Sequence, residues 1–259
     1  MGSSTVQGEL WGGAARDWAD LQEPKHTPVW EAMLTAARVG QGTRFFDAGC
    51  GSGGASVLAA ERGARLSGLD ASEALIAIAR EHMPQGDFRV GDLEELPFGD
   101  RAFDAVVAAL SVQYAADPNS ALRELKRVCA PGGYFVISTW GLPEQCEQRV
   151  VLKAVRDTLP SPPAGAGPFA FSAPGTLESL VEEAGWKVTG SSEVDCPFEY
   201  EDLGTHWQAQ RSAGPLQAAL QVVSEERLRA AVEQAVAPHR TATGGVRLAN
   251  RFRYVTATL

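Results

Sequence analysis

Eight residues near the first quarter of the chain, Asp47-Ala48-Gly49-Cys50-Gly51-Ser52-Gly53-Gly54, lie between an apolar run at 44–48 and a helix-forming stretch at 52–62. Glycines there let a ligand approach the backbone where a side chain would block it. The start of the following helix offers N–H groups with no partner inside the helix. Asp70 closes the next apolar run, 21 residues after Gly49. A carboxylate at that place can accept both hydroxyls of a ribose. Gly49, Gly51 and Gly54 also fit the dinucleotide spacing GxGxxG, so a nicotinamide dinucleotide is one reading. Asp47 argues against it, because a carboxylate beside the loop repels a pyrophosphate and attracts an ammonium group. Asp92 and Leu93 follow the third run at 88–90 and suit an adenine: an acceptor for its amino edge, an apolar wall for its ring. S-adenosylmethionine (SAM) has an ammonium group, a ribose and an adenine, and no phosphate.

The elements that must hold these residues alternate strictly. Strands are expected at 44–48, 65–69, 88–90, 103–110 and 134–139, with helices at 52–62, from Ser72 onward, and at 119–129. Ser72 can cap the second helix, whose apolar face is Leu75, Ile76 and Ala79. Runs that are apolar almost throughout, such as 103–110, suit strands buried on both faces. Such alternation predicts a Rossmann-like α/β fold, a mostly parallel sheet with helices on both faces. Beyond it the pattern is weaker. A helix is expected at 144–158, a Pro/Gly/Ala-rich loop at 160–174, a helix at 177–184 and a strand at 186–194. The segment 202–236 reads as a largely helical insertion, and 252–259 as a final strand.

In its motifs the chain resembles the class I SAM-dependent methyltransferases of small molecules, similar to those of ubiquinone and menaquinone biosynthesis. The resemblance rests on 46–53, on Gly68-Leu69-Asp70-Ala71-Ser72, on 91–98, on Phe103-Asp104 and on 125–133, with a thinner match at 172–186. It implies seven strands with the last antiparallel, and methyl transfer from SAM by in-line displacement onto an oxygen, nitrogen or carbon acceptor. It places Gly49 and Gly51 against the methionine part and ribose, Asp47 near the amino group and Asp70 on the ribose. Ala71 would lie against the adenine, Asp92 and Leu93 at the adenine edge, and Leu110 and Gln113 at the methionine end. Cys50 stands where a small residue is usual and is expected to pack. The expected organisation is an N-terminal helical lid at 1–42, a core at 43–198, a helical cap at 199–245 and the final strand at 246–259. A SAM-binding enzyme of another reaction, and a NAD-dependent oxidoreductase, are the alternatives.

Candidates for proton transfer are few. His206, beside Trp207 in the insertion, titrates in the right range to take a proton from a nucleophile. His26 and His239 are weaker candidates. Tyr114 follows the fourth strand and either orients an acceptor or closes the pocket. Trp11 and Trp18 lie two helical turns apart, forming either a lid or a packed amphipathic face. Arg240, Arg247, Arg251 and Arg253 occupy a tail without acids after Glu233, read as a solvated strand face or a site for an anion.

With 23 basic and 32 acidic residues among 259, the net charge is −9. That balance is unsuited to tracking a phosphate backbone, so no nucleic acid partner is expected. No apolar run reaches the ~18 residues of a membrane span, and no basic-then-apolar leader opens the chain. Four scattered cysteines with no CxxC pair read as reduced thiols, not a metal site, and fit a cytoplasmic protein.

Overall fold

The computed structural model describes residues 3–161 and 167–259; part of the expected 160–174 loop lies outside the described residues. Seven strands form the central sheet: β1 (Arg44–Ala48), β2 (Arg65–Asp70), β3 (Asp87–Val90), β4 (Phe103–Ala109), β5 (Cys129–Trp140), β6 (Lys187–Asp195) and β9 (Arg251–Thr258). Their order is β3-β2-β1-β4-β5-β9-β6. Pairings among β1 to β5 are parallel, and β9 runs antiparallel to both β5 and β6. The expected Rossmann-like sheet and its antiparallel last strand are both present. β7 (Phe198–Tyr200) and β8 (Val246–Leu248) make a separate two-stranded ribbon.

Alternation along the strands fills both faces. Phe45, Ala105, Val107 and Val136 point to one side, against the Thr27–Ala36 and Gly54–Glu61 helices. Phe46, Val106, Ala108, Phe135 and Ile137 point to the other, against the Pro118–Val128 and Thr176–Glu183 helices. Each fully buried Phe or Leu contributes ~1.5–3 kcal/mol of transfer free energy, so these layers fix the strand register. The caps follow the sequence. Ser72 Oγ accepts from the Leu75 N–H at 3.2 Å, and Asp117 from Asn119 at 3.0 Å with Pro118 next in the first turn.

Two segments cover the carboxyl ends of the parallel strands. One is N-terminal: the Ser4–Gly12 helix, then a short helical turn, a π-helical stretch at Trp18–Gln22 and a 3₁₀ turn at Glu23–His26. The other is helical at Leu203–Arg211, Gly214–Leu220 and Glu225–Val236. The stretch expected as one final strand from 246 divides in two. Val246–Leu248 pairs with Phe198–Tyr200, and the sheet strand begins at Arg251. Between them the Ala249 N–H donates to Glu147 and the Asn250 side chain accepts from the Gln148 N–H at 2.9 Å. Those long-range bonds, invisible in strand alternation, end the ribbon.

Candidate cofactor and acceptor site

β1 and β4 are neighbours whose connections depart in opposite directions, so a crevice opens at their carboxyl ends. The cavity there is lined by every residue placed at the cofactor from sequence: Asp47, Gly49, Gly51, Asp70, Ala71, Asp92, Leu93, Leu110 and Gln113. Tyr114 lines it too.

The glycine loop is shaped by its residue types. Gly49, Gly51 and Gly53 have φ of +77°, +55° and +91°, where a Cβ is strained. A Cβ on Gly49 would also collide with Ser111, whose hydroxyl donates to the Ala48 carbonyl at 2.6 Å. Leu110, beside it, holds φ +56° without being glycine, a local strain at the cavity wall. Cys50 is buried and packs toward Phe88 and Ile76.

Asp70 accepts from the Gly51 N–H and the Ser72 N–H, both at 2.9 Å, through different oxygens. Each oxygen keeps a lone pair for a ligand hydroxyl. Asp47 accepts from Ser56 Oγ at 2.7 Å and is 1% exposed. Burial first, then the nearby Glu23 and Asp70 charges, push its pKa up to about 7. Asp92 accepts from the Glu94 N–H at 3.0 Å, which holds its carboxylate at the cavity edge beside Leu93.

Sequence reasoning missed Glu23. Its carboxylate, 3% exposed, accepts from the Ser52 and Gly54 N–H groups at 2.9 and 3.0 Å. It therefore caps the Gly54–Glu61 helix from the N-terminal segment and stands beside Gly51, where a Cβ would come within 3.0 Å of it. Burial and Asp70 raise its pKa. A carboxylate between two tryptophan-bearing helical stretches carries no spacing signal that would set it opposite a loop 30 residues away. Trp30, Trp140, Gln148, Phe198 and Gln210 were missed for the same reason: only the fold brings them to the cavity.

His206 does not reach the cavity, which corrects its reading as a base. It is fully buried on the Leu203–Arg211 helix, edge-on to Tyr200, and neither ring nitrogen has a partner among the described residues. Burial pushes its pKa down to about 4. Tyr114 stays protonated, since burial raises its hydroxyl to about 12; it stands edge-on to Trp11 at 5.4 Å and walls the cavity. Trp11 and Trp18 meet edge-to-face at 4.7 Å and both line the cavity. Three of the four tail arginines are paired with acids, Arg247 with Glu199, Arg251 with Asp195 and Arg253 with Glu178, while Arg240 donates to the Gly244 carbonyl at 3.3 Å.

The residues fit SAM. Four carboxylates line the cavity (Glu23, Asp47, Asp70 and Asp92), and no lysine or arginine does among the described residues. Such a site favours a ligand that brings positive charge. Gln113 Nε2 is buried without a partner among the described residues, a donor free for a ligand acceptor.

Residues 46–137 match the family model described as a methyltransferase domain. The match runs from β1 into β5 and takes in the glycine loop, Asp47, Asp70 and Asp92, so over that segment the chain is similar to known methyltransferases. A malonyl-acyl-carrier-protein O-methyltransferase of Erwinia pyrifoliae is 39% identical over 132 residues, 50% of this chain and 49% of that protein. The chain thus spans about half the length of that curated relative. Among solved structures, a chain of the complex between the Haloferax volcanii Trm112 methyltransferase activator and a methyltransferase superposes with TM-score 0.62 at 20% identity, covering 97% of each chain. The 4+2 cyclase SpnF superposes with TM-score 0.56 at 20% identity, covering 89% of this chain and 80% of that one. At such identities these likenesses speak to the fold. No helix among the described residues is long and apolar enough to cross a membrane.

Proposed function

We propose that the protein transfers the methyl group of SAM to a small-molecule acceptor bound in the same cavity. The observation that carries this reading is the set of Glu23, Asp47 and Asp70 around an open glycine loop, with no lysine or arginine among the described lining residues. A dinucleotide needs its pyrophosphate at the helix start, and Glu23 already accepts the Ser52 and Gly54 N–H groups there. Asp70 would hold the ribose hydroxyls, Asp92 and Leu93 the adenine, and Asp47 the amino group. Gln113 would donate to the carboxylate.

SAM, when bound, supplies a methyl group already activated on a sulfonium. The chain's task is to bind both reactants, align them and exclude water. The N-terminal segment and the 203–220 helices line the cavity beside the strand ends and would serve that exclusion. The Erwinia relative's name specifies a malonyl carrier-protein acceptor. A malonyl thioester carries a carboxylate, and this cavity has no lysine or arginine among its described lining residues to pair with one. A second reading, a SAM-binding enzyme of another reaction, draws on the fold shared with the SpnF cyclase.

Thermal unfolding with SAM, S-adenosylhomocysteine and NAD tests the assignment. A ligand at 100 times its Kd stabilises by ~2.7 kcal/mol, a shift of a few degrees. SAM and S-adenosylhomocysteine should raise the midpoint and NAD should not; Asp70→Ala should abolish the rise. A rise with NAD alone overturns the reading. S-adenosylhomocysteine released on turnover separates methyl transfer from the second reading.

A further inference from the structure

We infer that the methyl acceptor is an uncharged aromatic compound bearing a hydroxyl group, and that His26 takes the proton of that hydroxyl. The inference rests on the methyl-transfer reading and adds the acceptor's chemistry to it.

The cavity has two ends. The ends of β1, β2 and β3 supply the carboxylates Asp47, Asp70 and Asp92. Beyond β4 and β5 lie His26, Trp140, Gln148, Phe198 and Gln210. No cation lines either end among the described residues, so an anionic acceptor would lose its water and find no counter-charge, only neutral dipoles and the carboxylates of the other end. The walls of the second end are flat. The His26 ring centre lies 5.2 Å from that of Phe198 and 5.9 Å from those of Trp18 and Trp30, and Trp140 stands 6.0 Å from Phe198. Such faces take up planar rings by stacking and edge contacts. The polar groups beside them are neutral. Tyr200 donates to Gln22 at 2.7 Å, Gln210 to Tyr200 at 3.1 Å, and Gln148 to Gln210 at 2.6 Å.

His26 is the base this end provides. Its Nδ1 lies 3.0 Å from the Glu23 carbonyl oxygen. A carbonyl only accepts, so Nδ1 carries the hydrogen and Nε2 holds the lone pair. Nε2 has no hydrogen-bond partner among the described residues, while the side chain lines the cavity. Burial holds the ring neutral, with its pKa pushed down to about 4. In the step, the hydroxyl oxygen bonds to the methyl carbon as the carbon–sulfur bond breaks, and that bond's electron pair stays on sulfur. The hydroxyl proton passes to Nε2. Positive charge thus moves from sulfur to imidazolium, and the proton returns to water after product leaves. A weak base suffices, because the hydroxyl becomes strongly acidic as its oxygen bonds to carbon.

The test uses the full chain saturated with S-adenosylhomocysteine, titrated with 2-naphthol, naphthalene and 2-naphthoate, and followed by quenching of the cavity tryptophans. The wild-type protein should bind 2-naphthol about 10-fold tighter than either of the others. With SAM it should form 2-methoxynaphthalene. His26→Phe keeps a ring in the stack; it should bind 2-naphthol no tighter than naphthalene and form the ether at least ~100-fold more slowly, at unchanged SAM affinity. Should that variant fold poorly, His26→Gln serves with the same readouts, and the wild-type comparison needs no variant. Equal binding of 2-naphthoate overturns the uncharged acceptor. Absence of 2-naphthol binding overturns the aromatic one. Binding without ether formation, or an undiminished rate in the variant, overturns the role of His26. Failure of S-adenosylhomocysteine to bind would instead sink the methyl-transfer reading, a separate result.

Discussion

Asp47 shows how one buried side chain sets a pH dependence. Its pKa near 7 reflects burial and two neighbouring carboxylates. A cationic ligand beside it prefers the ionised form, so binding draws that pKa down and releases a proton. SAM affinity should therefore rise with pH up to about 7 and level off above it, by as much as ~10-fold per unit below. Calorimetric titration from pH 5.5 to 7.5 checks this, and Asp47→Asn should flatten the profile. A wild-type Kd that does not change with pH would exclude Asp47 from the cofactor contact. The aspartates were legible in the sequence because each follows an apolar run at a fixed place. Glu23 was not, because its partners Ser52 and Gly54 are reached only through the folded N-terminal segment.

At the scale of elements, the Ser4–Gly12 helix is the part whose role the sequence left open between lid and packing. It does both. The helix passes so close to Ala71 that a Cβ on Gly8 would collide with the Ala71 carbonyl oxygen. Trp11 from the same helix lines the cavity and packs against Gly214 of the second cover. Gly8→Val should lift this helix from the adenine end while the sheet core, which it does not touch, stays intact. We expect SAM affinity to fall ~10-fold or more with a midpoint loss of only a few degrees. Unchanged affinity in an otherwise folded variant would show the helix to be packing alone. The loop after β3 is held differently. Arg127 donates to the Leu96 and Phe98 carbonyls at 3.0 and 2.8 Å and pairs with Glu124, which accepts from the Leu96 N–H. The order of motifs predicted both the loop and the helix, but not the arginine that joins them.

For the whole molecule, buried titrating groups oppose one another in acid. His206 and His26 have folded pKa values of about 4, below their ordinary 6.5. The unfolded chain binds more protons between those values, so their contribution to stability is lost as pH falls from about 6.5 toward 4. Asp47 acts in the other direction: raised from 3.8 to about 7, it makes the cofactor-free protein less stable as pH rises through that window. His206→Leu isolates one member. It removes two unpartnered buried nitrogens and should gain stability over wild type at pH 5 more than at pH 7, by about 1 kcal/mol or more in urea unfolding. An identical difference at both pH values would show that His206 does not titrate in this range.

The sequence by itself determined the sheet, because short apolar runs alternating with helical spacing, and glycine, serine and proline at turns, act over a few residues. It placed the carboxylates proposed for the cofactor for the same reason: Asp47, Asp70 and Asp92 stand at or just past strand ends, and strand ends in a parallel sheet meet along one edge. Only the tertiary structure decided the covers and the aromatic end of the cavity. His206 lies next to an attractive neighbour in sequence yet turns into packing. His26 is brought to the cavity between rings from residues 18, 30, 198 and 252. Those contacts join residues up to 226 positions apart, and no local periodicity records which of two buried histidines faces the cavity.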